Sequence, residues 1–511
     1  MNLQPQFNLA QLLTGIAVAP PIPITGLQTD SRQLERGNVF LACQGATSHG
    51  LAFLDQAVAA GAAAVIWDGN PAHFRTAMRS PLPIVGVPGL CNRLGELANR
   101  WFDEPSRYVT VSGITGTNGK TTIAWLIAQC MRRIERPCGY IGTLGDTLGG
   151  ARATSLPASA DAAAMTTPAC IDLQRKIADF RTQGAGFLAL EVSSHALHQN
   201  RIDGVRFDSA LFSNLSRDHI DYHGSMHSYG ETKAAFLLRQ DIPHRLVNID
   251  STFGRNLAAR CGEDVIVVTT DAPLPRRPRS LVALLPRQPD ELGTVVNAET
   301  SWGSTQFHLP LVGRFNVGNA ALVLGQLLGW GVSIADAADA LSQATPPPGR
   351  MQRVLAGSEQ SAPAVYVDYA HTPAGLEAVL QSLREHCSGE LWCVFGCGGD
   401  RDRGKRPLMG EVVTRLADHA VVTNDNPRNE PPGEIIAATL AGMDRRAQAI
   451  EDRATAIAYA IDNAGDRDVV LIAGKGHENY QLIGSRRLPF SDYQVACTIL
   501  DARRAAAADT Q

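Results

Sequence analysis

The feature that most restricts what this 511-residue chain can fold into is the run Val111-Ser-Gly-Ile-Thr-Gly-Thr-Asn-Gly-Lys-Thr-Thr122. An apolar stretch enters a Gly/Thr loop, and a helical pattern opens at Lys120. Glycines let neighbouring backbone N–H groups converge, and a helix N-terminus adds a positive dipole end. The run therefore reads as a phosphate cradle within a strand–loop–helix unit. Lys120 can reach the outer phosphates of a nucleotide, and Thr121 can ligand Mg2+. The strict form of such a loop has Gly five residues before Gly119, where this chain has Ile114; Gly113 and Gly116 lie six and three before it. An Asn-Lys-x-Asp segment is absent, which disfavours a guanine-specific switch.

Around this unit the pattern alternates. Residues 39–43, 62–67 and 83–87 read as strands, and 51–60 and 91–101 as helices. Further along, 108–113, 187–192 and 209–212 read as strands, with helices from Lys120 and over 315–328 and 334–341. Residues 281–311 break the rhythm and read as an insertion or small side sheet. After the linker Pro346-Pro-Pro-Gly349, strands at 365–367, 391–395, 420–423 and 469–472 alternate with helical stretches. Such alternation predicts parallel βαβ units. The expected class is α/β with three domains: a smaller N-terminal α/β domain over 1–88, a central P-loop-like parallel sheet over 89–344, and a Rossmann-like domain over 345–511. A chain of this length needs about three hydrophobic cores.

Composition excludes several function classes. A net charge of −4 and a pI near 6.4 give no global field for a nucleic-acid backbone or an anionic membrane. The longest apolar run, 317–332, is interrupted by Asn319 and Gln326, so no membrane span is expected. The N-terminus MNLQPQFNLA has neither a basic region nor a long apolar one, which argues against secretion. Ten cysteines are too dilute for a disulfide scaffold and read as reduced thiols of a cytoplasmic protein. Cys393 and Cys397 flank an apolar stretch without a second Cys/His pair nearby, a poor zinc signature.

Two further runs carry chemistry. Phe187-Leu-Ala-Leu enters Glu191-Val-Ser-Ser-His195, placing a carboxylate at the carboxyl end of a strand. Ligands of open α/β sheets bind at that edge, so Glu191 is a candidate Mg2+ ligand, although a surface Glu explains it as well when taken alone. Asn214-Leu-Ser-Arg-Asp-His-Ile-Asp-Tyr-His223 is dense in Asp and His. His219 is its best metal-ligand candidate; a polar loop with Asp218 as a helix cap is the competing reading.

The three runs, in this order and spacing, resemble the Mur ligase family, ATP-dependent amide-forming ligases of peptidoglycan precursor synthesis. The resemblance implies an acyl-phosphate route. ATP phosphorylates the γ-carboxylate of D-Glu in UDP-MurNAc-L-Ala-D-Glu, an amine attacks, and ADP and phosphate leave. It assigns ATP to Gly116, Thr117, Asn118, Gly119, Lys120, Thr121 and Thr122, with Asn319, Arg350 and Asp368 as further nucleotide contacts. Without the family, Asp368 reads equally well as a helix cap before Pro373. The resemblance gives the metal positions as Thr121, Glu191 and His219, with Lys233 of Tyr229-Gly-Glu-Thr-Lys233 as a CO2-derived carbamate that helps hold a second Mg2+. Lys120, Lys233 and His219 are the implied catalytic residues. Carbamylation requires the free amine, which a desolvated lysine supplies.

The UDP-sugar peptide is implied to meet Thr29, Ser31, Ala46, Thr47, Ser48, Thr166, Thr167, Ser193, Gln199 and Arg201. The acceptor amino acid is implied to meet Arg401, the Asp425-Asn426-Pro427-Arg428 run, Gly474 and Glu478. In the family that D-N-P-R form accompanies meso-diaminopimelate. Its far carboxylate gives a guanidinium a bidentate partner that lysine lacks, and Glu478 would pair with the distal ammonium. A solvated loop charge is the plain alternative for each. The expected partners are small-molecule substrates, with no nucleic acid and a monomeric chain. The competing functions are a lysine-adding or folylpolyglutamate-like sister ligase and a non-catalytic nucleotide-binding regulator. Arg428 and the UDP-entry segment speak against the sister ligases. The Lys120, Glu191, His219 and Lys233 set speaks against the regulator.

Overall fold

Strands buried on both faces read as continuous apolar runs, because helices cover both sides of a parallel sheet. The computed structural model describes residues 7–45, 48–150, 165–271, 278–290, 292–355, 362–444 and 447–508. These fall into two compact units. One comprises Met1–Thr115, Glu135–Leu211 and His227–Pro243; the other comprises Gly116–Ile134, Phe212–Met226 and His244–Gln511.

The first unit opens with four parallel strands side by side, Gly26–Gln28, Asn38–Ala42, Ala64–Trp67 and Ile84–Gly86. The period-2 alternation sends Val39, Leu41, Ala64 and Ile66 into one core and Phe40, Ala42, Val65 and Trp67 into another. The expected helix over 51–60 is split into a 3-10 turn, Gly50–Phe53, and an α-helix, Leu54–Ala59. The helix expected from Cys91 begins as the α-helix Leu94–Trp101, preceded by a 3-10 turn at Leu90–Asn92. The same unit holds the neighbouring strands Thr110–Thr115, Phe187–Glu191 and Cys138–Gly142, mutually parallel.

In the second unit, His244–Asn248, Ile266–Thr269 and Ser280–Pro289 pair in parallel, and Thr294–Thr300 and Gly303–Leu309 continue as an antiparallel meander. The β-rich stretch 281–311 is therefore no separate side sheet: Val282 pairs with Val268 and extends the parallel strands. A six-stranded sheet of the same unit runs Gln352–Arg353, Ala364–Asp368, Val469–Ala473, Leu391–Phe395, His419–Val422, Gln448–Ala449. All of its pairings except the first are parallel. Helix faces seal both sides, with Cys393 and Phe395 in one core and Trp392 and Val394 in the other. Arg453, fully buried, is bound bidentately by Asp492 at 2.7 Å and also donates to the carbonyls of Asn424 and Ala473. Paired and hydrogen-bonded in this way, the two charges survive burial, and removing one partner would cost about 3–5 kcal/mol.

Candidate functional site

In a parallel sheet all carboxyl ends lie along one edge, where ligands of open α/β sheets bind. Most of the sequence-predicted residues sit in loops leaving such ends.

In the N-terminal sheet, Thr29 and Ser31 follow the strand ending at Gln28, and Ser48 lies in the loop after Ala42. Ser31 donates to Gln56 at 2.7 Å, and Ser48 O accepts from Gly45 N at 2.9 Å. Ala46 and Thr47 lie outside the described residues.

At the next carboxyl edge Glu191 is fully buried, which removes the reading of a surface carboxylate. Its Oε1 accepts from Tyr140 OH at 2.6 Å and Thr143 N at 2.9 Å, and its Oε2 accepts from Thr143 Oγ1 at 3.1 Å. A Cβ on Gly142 would come within 2.1 Å of Oε1, so glycine is needed for this close approach. Thr167 Oγ1 donates to Glu191 O at 2.7 Å and accepts from Ser193 N at 3.0 Å. Arg201 donates to Thr167 O at 3.1 Å and to Gln199 Oε1 at 2.9 Å, and Thr143 reaches Thr166 at 3.3 Å. Thr166, Thr167, Glu191, Ser193, Gln199 and Arg201 thus form one hydrogen-bonded group. Lys233, 1 % exposed on the helix Met226–Leu237, lies 4.6 Å from the centre of the Tyr229 ring.

The phosphate-type loop is shaped by its glycines. Gly116 and Gly119 have φ of 149° and 87°. A Cβ on Gly119 would meet Asn319 Oδ1 at 2.3 Å, which puts Asn319 against the loop. Thr117 N donates to Asn214 O at 2.9 Å, and Asn118 N to Asn214 Oδ1 at 3.0 Å. Lys120 opens the helix Lys120–Arg133, and its Nζ donates to Gly116 O and Thr117 O, both at 2.9 Å. Thr121 and Thr122 are buried in the first turn. Asp218 does not cap the following helix. His219 is the N-cap residue, with φ 52°, and Asp218 Oδ1 accepts its N–H at 2.9 Å. A non-glycine residue in the left-handed region is strained, a feature that concentrates at functional sites.

The C-terminal sheet gathers the rest. Asp368 ends its strand and accepts from Met351 N and Ala370 N, both at 2.7 Å; Thr372, not Asp368, caps the helix Pro373–Glu385. Burial pushes the Asp368 carboxyl above the usual range, against the pull of the Arg350 guanidinium. Arg350 lies 4.4 Å over the Tyr369 ring. Gly474 N donates to Asp368 O at 3.1 Å, and a Cβ on Gly474 would stand 3.7 Å from Asp425 Oδ2, so one glycine links the two groups. Asp425 and Asn426 are buried, not solvated loop residues. Asn426 Nδ2 donates to Glu478 Oε2 at 2.8 Å. Pro427 turns the chain into Arg428, whose φ is 53° and whose Nη1 donates to Gly399 O at 2.8 Å. Arg428 and Arg401 both stand beside Gly398, and Arg401 is exposed.

Sequence reasoning missed Tyr140 and Thr143, which orient Glu191, and Asn214, which closes the phosphate-type loop. It also missed Lys475, fully buried against Asn426 and Glu478. A lysine between two glycines just past an apolar strand was the available signal for the last.

A carboxylate oxygen suits Mg2+, and a carboxylate held by three hydrogen bonds, as Glu191 is, is the arrangement outer-shell groups give to a metal-binding oxygen. Among the described residues no three His, Cys, Asp or Glu side chains form a ready metal cage. Mg2+ bound through one or two protein oxygens and substrate phosphates needs none.

Comparison with known proteins gives the same pattern. Residues 23–100 match the Mur ligase family catalytic domain, 114–327 the Mur ligase middle domain, and 349–476 the Mur ligase glutamate ligase domain. The UDP-N-acetylmuramoyl-L-alanyl-D-glutamate–2,6-diaminopimelate ligase of Alkalilimnicola ehrlichii is 41 % identical over 489 residues, covering 94 % of this chain and 95 % of the relative. The Coxiella burnetii protein of the same name is 42 % identical over 494 residues, 96 % of this chain and 98 % of the relative. A solved structure of a ligase with that name superposes with a TM-score of 0.67 at 33 % identity, covering 94 % of this chain and 96 % of the other. MurF ligase from Thermotoga maritima, solved with ADP, shares the fold with a TM-score of 0.64 at 16 % identity. With relatives above 40 % identity along nearly their whole length, the chain belongs to the Mur ligase family.

Proposed function

We propose that this protein joins meso-2,6-diaminopimelate to the D-Glu γ-carboxylate of UDP-MurNAc-L-Ala-D-Glu. The reaction consumes ATP, releases ADP and phosphate, and takes place in the cytoplasm as a step of peptidoglycan precursor synthesis. The observation that carries the choice of amino acid is the buried Asp425-Asn426-Pro427-Arg428 turn, which gathers Arg428, Arg401, Gly474 and Glu478 at one sheet edge. Guanidinium groups and carboxylates within this one cluster complement an acceptor carrying both a distal carboxylate and an ammonium.

Each group has a chemical task. A carboxylate is a poor acyl donor until one oxygen becomes a phosphate leaving group. The loop from Gly116 to Thr122, Lys120 above all, holds the nucleotide phosphates, with Asn319, Arg350 and Asp368 as further contacts. Bound Mg2+ would neutralise phosphate charge, with Thr121, Glu191, His219 and carbamylated Lys233 as its protein ligands. Thr29, Ser31, Ala46, Thr47, Ser48, Thr166, Thr167, Ser193, Gln199 and Arg201 hold the UDP-sugar peptide. The boundaries 1–88, 89–344 and 345–511 divide these tasks among three domains of a monomer.

The test is ADP release with UDP-MurNAc-L-Ala-D-Glu and Mg2+, adding diaminopimelate or L-lysine in parallel. Turnover with diaminopimelate alone is expected, and Arg428→Ala should lower kcat/KM for it by about 10–200-fold, the loss of one charge-assisted pair of about 1.5–3 kcal/mol. Turnover with lysine would overturn the role given to Arg428. No turnover with either would leave a nucleotide-binding regulator as the better reading.

A further inference from the structure

Lys475 is fully buried, yet a lone ammonium cannot remain charged in a protein interior without partners. The fold supplies them. Gly474, with φ 117°, turns the chain after the strand Val469–Ala473 so that Lys475 points back under the Asp425–Arg428 turn. Its Nζ lies 3.0 Å from Asn426 Oδ1, 3.2 Å from Glu478 Oε2 and 3.4 Å from Asp425 Oδ1. Three donors therefore meet three acceptors. Asn426 Oδ1 also accepts from Leu482 N at 2.9 Å. Both contacts hold the amide oxygen inward, and Asn426 Nδ2 is thereby aimed at Glu478 Oε2, 2.8 Å away.

We infer that Lys475 is a positioning residue that sets acceptor specificity in the proposed reaction. It locks Asp425, Asn426 and Glu478 in one arrangement and cancels one of their two carboxylate charges. One carboxylate charge of the pair is then left to match one ammonium of the acceptor. The inference rests on the acceptor assignment above. Lys475 needs no contact with the acceptor to act, because its effect passes through Asn426 and Glu478.

The test is steady-state kinetics of the full-length protein with each of the three substrates varied in turn. Lys475→Met keeps an unbranched side chain one atom shorter and removes the charge. Its KM for diaminopimelate should rise about 10-fold or more, the effect of losing one buried charge pairing, while KM for ATP and for the UDP-sugar peptide stays within about twofold. Lys475→Arg, which keeps the cation, should restore most of the affinity. If K475M does not fold, the double variant K475M/D425N removes one carboxylate with the cation. Its KM for diaminopimelate should likewise rise above the wild type's, with KM for ATP and for the UDP-sugar peptide within about twofold. An unchanged KM in K475M, a parallel rise for all three substrates, or K475R no better than K475M would each overturn the inference. Absence of diaminopimelate turnover by the wild type would instead remove the acceptor assignment on which it rests.

Discussion

His477 shows how much a single residue can report. Burial and the nearby Arg350 guanidinium push its imidazole down to about 3. The ring lies 5.4 Å from that of Tyr369, and among the described residues its Nδ1 has no hydrogen-bond partner. Charging such a ring costs free energy in the folded protein but not in the unfolded chain. The unfolded state therefore binds the extra proton first, as pH falls below about 6.5, and stability declines until the folded value near 3 is reached. His477→Gln removes this dependence. Between pH 7 and pH 4 the wild type should lose about 1–2 kcal/mol more stability than H477Q, less than full linkage allows because the ring is partly solvent-covered. Denaturant midpoints at the two pH values measure the difference, and equal losses would show that the imidazole is already protonated at neutral pH or readily solvated. Lys475 and His477 share a lesson about legibility. Both stand in a run, Gly474-Lys-Gly-His-Glu478, that the sequence marks as unusual. Nothing in one dimension shows that the lysine turns inward or that the histidine lies beside Arg350.

At the scale of the element, the strand–loop–helix unit was the most legible part of the chain, because glycine positions and the change from strand to helix periodicity are local signals. Gly119 carries the geometry: its φ is 87°, and a Cβ would meet Asn319 Oδ1 at 2.3 Å. Gly119→Ala must strain the backbone by about 1–3 kcal/mol and also displace Asn319. ATP affinity should fall by about 10-fold or more, with only a modest drop in Tm. Calorimetric titration of ATP into the variant checks this, and unaltered affinity would mean that the loop holds the nucleotide without this conformation. Less local elements were harder to read. The strands His244–Asn248, Ile266–Thr269 and Cys138–Gly142 went unrecognised. Residues 281–311 looked like an insertion because their parallel pairing partner, Ile266–Thr269, was not visible as a strand. Asp218 looked like a helix cap by residue type, whereas the chain places His219 there in the left-handed region, a tertiary constraint that propensity does not encode.

At the scale of the whole molecule, the proposal distributes one reaction over distant stretches of chain, with Ser31 near the start and Lys120 some ninety residues later. Each proposed substrate should then stabilise the protein by mass action through its own contacts, by about 2.7 kcal/mol at a hundredfold excess over Kd. This predicts a crossed result in thermal melts. Ser31→Ala should shrink the Tm increase produced by UDP-MurNAc-L-Ala-D-Glu and leave that produced by Mg-ATP intact. Lys120→Met should do the reverse. Ser31 already donates to Gln56 at 2.7 Å, so the unliganded Tm of S31A provides the baseline from which each shift is read. If both shifts shrink together in both variants, the two ligands share one set of contacts, and the division into a UDP-binding start and a nucleotide-binding middle fails. If they separate, each of the two stretches recognises its own substrate before chemistry begins. The adjacency of Asp368, Gly474 and Asp425 would then bring the nucleotide's last contacts next to the acceptor's first.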